Sequence, residues 1–561
     1  MNRNPLNRIL IVIVVGLAAG AAWAQTAQYP VSTAPGQQTR GATLGAPELR
    51  LTLQDAVALA LDHNISLEIS RLGLAGQRES LLAASGLFDP QLDATYQESA
   101  SDTPATNALV GARINEVERR NFTLGYGQFL PTGGNFNVGF GMLRQATNST
   151  FYFLNPSYDS DFYLGLSQPL LRGFGVDVNR TGIEVARRSG EISRLEFEKI
   201  VIGTLQAVET AYWNLVYQRE NLKVTERSLS LANDLLQQTQ TRVRIGTSAP
   251  IDIVQSEATV ATREQEIIVA QHAVDEAEDL LKRLMGFENV NDWRSRIVPL
   301  DSLEIVPTSP DLDESISAAF VKRLELQQSE LQQEITEISF TAADNNTLPG
   351  LDLVVNYGYT GINAIYEANP DGTYNVIQGD ASESLSMLAD RDYPQWSAGL
   401  NFSYIFGNHD AKARRAQARY DYQVAQQNLA LERQTVIEEV RRTVRGLEAS
   451  AKAIAAAEKA RILAERNLDA EQKKFANGMS TNFQVLEIQE DLAIAQAAEL
   501  RMRVAYRQAA VNYLVAVGGL LESKGVALAD GEQAEEPHTY WRDADWLTFS
   551  NYRESAKPGT E

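Results

Sequence analysis

Residues 473–490 read KKFANGMSTNFQVLEIQE, and residues 241–258 read TRVRIGTSAPIDIVQSEA. Aligned on Gly478 and Gly246, Phe475 meets Val243 and Ser480 meets Ser248, while Phe483, Val485 and Leu486 meet Ile251, Ile253 and Val254. Such an echo implies one structural unit built twice. The flanks say what the unit is. No proline occurs between Pro169 and Pro250 or between Pro394 and Pro537, and both stretches are rich in the residues that cost least to hold helical. Over 176–245 and 410–476, apolar residues recur at helical spacing, as in Leu205, Val208, Tyr212 and Leu215, or Val436, Val440, Val444 and Leu447. At 1.5 Å per residue each helix would run on the order of 100 Å, so its apolar stripe must be buried lengthwise against other long helices. The partner helices at 250–286 and 482–521 follow each echoed phrase directly. Each phrase therefore predicts the bend of a helical hairpin. Gly246 and Gly478 are placed as left-handed C-cap residues, Ser248 or Thr247 and Thr481 or Asn482 as N-caps, and Pro250 opens the next helix.

A second pattern has period two. In WSAGLNFSYIFG, Trp396, Ala398, Leu400, Phe402, Tyr404 and Phe406 share one face, and Ser397, Gly399, Asn401 and Ser403 share the other. Leu351, Leu353, Val355, Tyr357 and Tyr359 alternate likewise, as do Leu92, Ala94 and Tyr96, and Phe162, Leu164 and Leu166. An aliphatic and aromatic face opposite a Gly, Ser, Asn and Thr face is the pattern of a transmembrane β-barrel, lipid outside and water inside. A further hairpin is predicted at 122–142, turning at Pro131-Thr132-Gly133-Gly134; its position relative to the membrane is left open.

Composition bounds the function. Arg3 and Arg8, an apolar run from Ile9 to Ala22, and Ala22-Trp23-Ala24 before Gln25 have the form of a secretory signal. No later stretch is long and apolar enough for a transmembrane helix. There is no cysteine, which excludes disulfides, thiolate metal sites and an N-terminal lipid anchor on cysteine. The 72 acidic against 50 basic residues argue against a nucleic-acid partner. His63, His272, His409 and His538 are scattered without ligand spacing, and no nucleophile, zinc, phosphate-loop or dinucleotide motif occurs. No catalytic residue, cofactor or metal is expected, and the chain is expected not to be an enzyme.

The repeat extends beyond the bends, since Leu53, Pro90, Leu92 and Asp93 correspond to Leu312, Pro349, Leu351 and Asp352 at a constant offset. The expected layout is a signal peptide at 1–24 and an N-terminal linker at 25–49, followed by a first repeat at 50–286 with strands near 88–98 and 161–171 and a hairpin at 176–286. A joining segment at 287–310 leads to a second repeat at 311–521, with strands near 350–360 and 395–406 and a hairpin at 410–521, and a tail occupies 522–561. Two strand pairs give four spanning strands, too few to close a barrel, and an open sheet edge is not stable in lipid. The chain is expected to assemble with copies of itself; three would supply about twelve strands.

In LTLQDAVALALDHN (51–64), FDPQLDATY (88–96), SQPLLRGFG (167–175) and the two bends, the chain resembles the TolC-like outer-membrane efflux and secretion channels. The resemblance covers roughly residues 50–521. It implies a mainly α fold with transmembrane β structure: a homotrimer whose β-barrel continues into a periplasmic α-helical barrel. It implies residence in outer-membrane lipid, a periplasmic membrane-fusion adaptor, and an inner-membrane RND or ABC transporter as partners. It puts the bends at the periplasmic tip, with adaptor docking at Gly246, Thr247, Ser248, Gly478, Met479 and Ser480. Carried over by position, the pore constriction falls at Gln484, Glu487 and Asp252. Gln484 departs from the acidic pattern, which favours Glu487. The competing reading is a periplasmic coiled-coil scaffold or adaptor with a β-domain and no pore.

Overall fold

The computed structural model describes residues 48–106, 111–305 and 307–527. The expected signal peptide 1–24, nearly all of the linker 25–49 and the tail 522–561 beyond residue 527 lie outside the described residues.

Each half opens with two short helices. Helix α1 (Leu53–His63) starts in a capping box, in which the Thr52 hydroxyl accepts from the Asp55 N–H and the Asp55 carboxylate accepts from the Thr52 N–H. Asn64 ends α1 and caps α2 (Ile65–Ser85), accepting from Ser66 and Leu67. In the second half, α5 (Leu312–Lys322) is capped by Asp311 and is followed by α6 (Leu324–Asn345). The long helices are α3 (Thr181–Arg244, 64 residues) and α7 (His409–Ala476, 68 residues). Their return helices are α4 (Ile251–Leu284) and α8 (Asn482–Val517). At 1.5 Å per residue, α3 and α7 extend about 96 and 102 Å. No helix among the described residues is long and apolar enough to cross a membrane.

Six of the strands form one antiparallel sheet. In chain order they are β1 (Gln91–Pro104), β2 (Ile114–Phe129), β3 (Asn135–Thr147), β4 (Ser157–Pro169), β5 (Gly350–Ile362) and β6 (Pro394–Ser403), and they lie side by side in that same order. Four spanning strands and a further hairpin of open placement were expected; here all six share one sheet. The hairpin foreseen over 122–142 is β2–β3, and it stands between β1 and β4, which the repeat logic would have paired directly. The second half has no such insertion, and β5 pairs with β6 along Pro394–Ser403. Between β5 and β6 lie a small hairpin, Ala364–Ala368 with Tyr374–Gln378, and a ten-residue helix, Ala381–Asp390.

The core sits at the waist, where α1, α3, α4 and α8 meet. Leu205, Val208, Tyr212, Leu215, Leu281 and Ile297 are fully buried there, each large aliphatic contributing about 1.5–3 kcal/mol. The joining segment does more than separate the halves. Arg296–Pro299 pairs in parallel with Glu48–Leu51, and Asp301 Oδ2 accepts from Tyr212 Oη at 2.7 Å and from the Leu53 N–H at 2.7 Å. Burial, and then the bond to Asp301, hold the Tyr212 phenol well above its ordinary pKa, so it remains a donor.

The repeat is also visible in how each hairpin comes home. Gly286 after α4 and Gly518 after α8 have φ of +76° and +73°. Each backs onto the junction of its own pair of short helices: a Cβ on Gly286 would strike the His63 carbonyl, and one on Gly518 would strike Lys322.

Candidate functional site: the paired hairpin bends

Both bends end their long helix in the same way. Gly246 N–H donates to Val243 O (3.0 Å) and Thr247 N–H to Arg242 O (2.8 Å), while Gly478 N–H donates to Phe475 O (3.0 Å) and Met479 N–H to Lys474 O (2.9 Å). These are two Schellman motifs, with φ of +82° at Gly246 and +75° at Gly478. The echoed phrases are thus the same turn written twice.

The return helices start differently. Thr481 caps α8 in a capping box with Gln484, and the Gln484 amide oxygen also accepts from Ser480 Oγ at 3.1 Å. The expected cap at Ser248 or Thr247 does not form: Thr247 Oγ1 turns back to Arg242 O, and α4 begins after Pro250 with no side-chain cap. Proline fixes its own φ and carries no N–H. The exposed N–H of Ala249 is taken instead by Asp252 Oδ2 at 3.2 Å.

The expected constriction residues therefore stand in different settings. Asp252 is half-buried and Gln484 exposed, both engaged with their own bend; Glu487, one turn further along α8, is exposed. The expected docking residues occupy the turn itself, with Met479 at 70 % exposure. Around them lie the exposed apolar side chains Ile251, Val254 and Phe483, which the two echoed phrases align without assigning them a role, and Ile245. A purely solvated turn has no use for this much apolar surface.

The two bends of one chain are fastened together. Asn482, only 4 % exposed, donates to Ser256 Oγ (3.0 Å) and Asp252 O (3.2 Å) and accepts from Thr239 Oγ1 (3.0 Å). Thr239 and Ser256 are themselves buried. The Arg242 guanidinium donates to Phe475 O and lies 4.0 Å from the centre of the Phe475 ring. Leu235, Phe475 and Val485 pack beside it. In the second bend the buried Glu471 carboxylate accepts from Ser480 Oγ and Lys474 Nζ, and these bonds, Ser480 first, hold its pKa below the ordinary value. A small polar residue opposite another hairpin is visible in sequence only as a cap candidate, which is why Asn482 was read as one.

Among known proteins, a family model described as outer membrane efflux protein matches residues 135–287 and 315–519. The chain is 23 % identical over 524 residues to the pyoverdine export outer membrane protein OpmQ of Pseudomonas aeruginosa, across 92 % of this chain and 94 % of that one. It is 22 % identical over 345 residues to the outer membrane protein TolC of Vibrio cholerae, across 61 % of this chain and 73 % of TolC. Its fold is similar to that of the Campylobacter jejuni CmeC outer membrane channel, with a TM-score of 0.59 at 17 % identity over 88 % of this chain and 94 % of that one. VceC from Vibrio cholerae gives 0.60 at 17 % identity, over 83 % and 96 %. The faced sheet, the two long hairpins and a family match over more than half of the length agree: the chain belongs to the outer membrane efflux protein family.

Proposed function

We propose that this protein is the outer-membrane duct of a tripartite efflux or type I secretion system. It works as a homotrimer that is passive in itself and is opened at its periplasmic tip by a membrane-fusion adaptor and an inner-membrane RND or ABC transporter. The observation that carries this reading is a six-stranded sheet, apolar on one face, whose outer strands β1 and β6 have open edges, continuous with helices about 100 Å long. Such edges are unstable in lipid unless another chain completes the ring. The exposed stripes Ile65, Ile69 and Leu72 on α2 and Tyr420, Val424 and Leu431 on α7 support self-association.

The exposed apolar side chains around Met479 support docking of an adaptor at the bends. Glu487 is the residue best suited to a ring of carboxylates at the closed tip, being exposed and free of the cap bonds that occupy Asp252 and Gln484. A passive duct needs only two tip states, and a partner that binds the open one more tightly shifts the population.

Protein extracted from outer membranes in detergent is expected to be a trimer that dissociates on heating and conducts in planar bilayers. A soluble monomer without conductance overturns the reading and favours a pore-free scaffold. Glu487→Ala is expected to raise leak conductance and to weaken block by divalent cations about fivefold, the loss of roughly 1 kcal/mol of attraction from the ring as a whole. Unchanged block removes Glu487 from the gate.

A further inference from the structure

We propose that the inserted hairpin β2–β3 is a third membrane-spanning strand pair of each protomer, so that the assembled channel closes on eighteen strands, six from each of three copies, instead of twelve. The inference rests on the trimeric reading above and extends it.

Register is the first support. Leu92, Tyr126, Val138, Leu164, Tyr357 and Trp396 form one unbroken row of directly opposed residues across all six strands, every one apolar or aromatic. The row of Ala94, Leu124, Phe140, Phe162 and Tyr359 is parallel to it. On the other face run Asp93, Gly125, Gly139, Tyr163, Gly358 and Gln395, then Gln91, Gly127, Asn137, Gly165, Asn356 and Ser397. A strand offset by one residue would have exchanged its faces. The hairpin is therefore in phase with the strands on both sides, lipid side with lipid side and lumen side with lumen side.

The second support is where the hairpin turns. Thr132 and Gln168 exchange two hydrogen bonds, Thr132 Oγ1 to Gln168 Oε1 (2.7 Å) and Gln168 Nε2 to Thr132 O (3.1 Å). The Gly175 N–H donates to Thr132 O. Gly133, with φ of +92°, sits so close to Gly173 O that only glycine fits. The turn is thus seated on the elbow that joins β4 to α3, the lower rim of the sheet, so β2 descends and β3 ascends through its full height. Strand direction alternates from β1 to β6 without a break. Consequently β6 of one copy meets β1 of the next antiparallel, and the ring closes with every edge paired.

Barrel diameter grows roughly linearly with strand number. With strands about 4.8 Å apart and tilted about 40°, eighteen strands give a ring of radius about 18 Å and twelve give about 12 Å. The exit in the outer membrane would then be as wide as a porin-sized barrel and would not restrict what the helical duct delivers.

The chain contains no cysteine, so a single Asn356→Cys carries one spin label per protomer. Three-fold symmetry converts the two radii into backbone separations of about 31 Å and about 21 Å, and the label offset is common to both. In detergent-solubilised full-length protein, pulsed electron–electron dipolar spectroscopy is expected to give the longer separation. The shorter separation overturns the eighteen-strand ring and leaves the trimer standing. Absence of any three-fold distance overturns the trimer instead. Independently, Thr123→Cys is expected to react with a charged maleimide in whole cells while Leu124→Cys does not, and equal reaction at both sites places the hairpin outside the membrane wall.

Discussion

Asn482 does the most with the fewest atoms. Its amide ties α8 to α3 through Thr239 and to α4 through Ser256 and Asp252 O. In Asn482→Leu the Thr239 and Ser256 hydroxyls lose their cross-hairpin partner, at a cost of about 1–3 kcal/mol for buried groups left unmatched. The expected outcome is faster amide exchange in both bends and a higher closed-state leak, with the waist unaffected. Unchanged exchange at the bends removes Asn482 as the fastening. Glu471 gives the same region a pH dependence. Its folded pKa is depressed, so the ion contributes stability above the ordinary carboxylate value of about 4.5. That stability is lost as pH falls through the lower, folded value. Exchange protection of 474–484 is expected to decline below about pH 4.5, and Glu471→Gln is expected to flatten that decline. Neither role was legible beforehand. Asn482 and Ser480 belong to residue types that cap helices anyway, and only the docking of a second hairpin tells a cap from a bridge.

Among the elements, the helical hairpins were readable because a strict apolar period over more than sixty residues has no competing explanation. The bends were readable because glycine recurs where a left-handed residue is required. The home ends of the hairpins obey the same spacing: Gly518 follows Gly286 by 232 residues, as Gly478 follows Gly246. That correspondence was available and went unread. The two sites differ in cost. At Gly246 and Gly478 a Cβ meets nothing, so Gly246→Ala carries only the left-handed strain, about 1–2 kcal/mol. At Gly286 a Cβ would also collide with the His63 carbonyl, adding about 1–3 kcal/mol of overpacking. Thermal unfolding should rank Gly286→Ala clearly below Gly246→Ala; equal midpoints contradict the packing at the α1–α2 junction. The strands were less legible. Alternation declares which residues share a face but not which strand is the neighbour, so the hairpin over 122–142 was seen and its place was not. Thr132, Gln168 and Gly173 supply that place, and their pairing spans a strand, a turn and an elbow that no local pattern connects.

For the whole molecule, the fold works as a division of labour along one axis. The sheet holds one apolar face opposite one rich in glycine and polar residues, the waist holds the buried core around Tyr212 and Leu281, and the bends hold the polar fastening. Charge tolerance in the sheet should follow face, not depth alone. Leu164→Lys, on the apolar row, is expected to destabilise the membrane-inserted form by about 2–4 kcal/mol. Thr123→Lys, on the opposite face, should leave trimer yield in the outer membrane close to normal. Equal losses for the two would mean that the sheet does not separate lipid from water. The class of molecule was legible because the repeat and the alternating segments occur together with the stretches at 51–64, 88–96 and 167–175 that carry the family resemblance, and the family model matches over the same halves.

The turn clasped by Gln168 and Gly175 also decides where motion must appear. With the upper end of α3 pinned at the rim, the helix is a lever fixed at its top. Over about 96 Å of length, a tilt of roughly 5° that would scarcely disturb the rim displaces Gly246 by about 8 Å. A small rotation at the sheet end of the hairpin is thereby amplified into a large excursion at its bend.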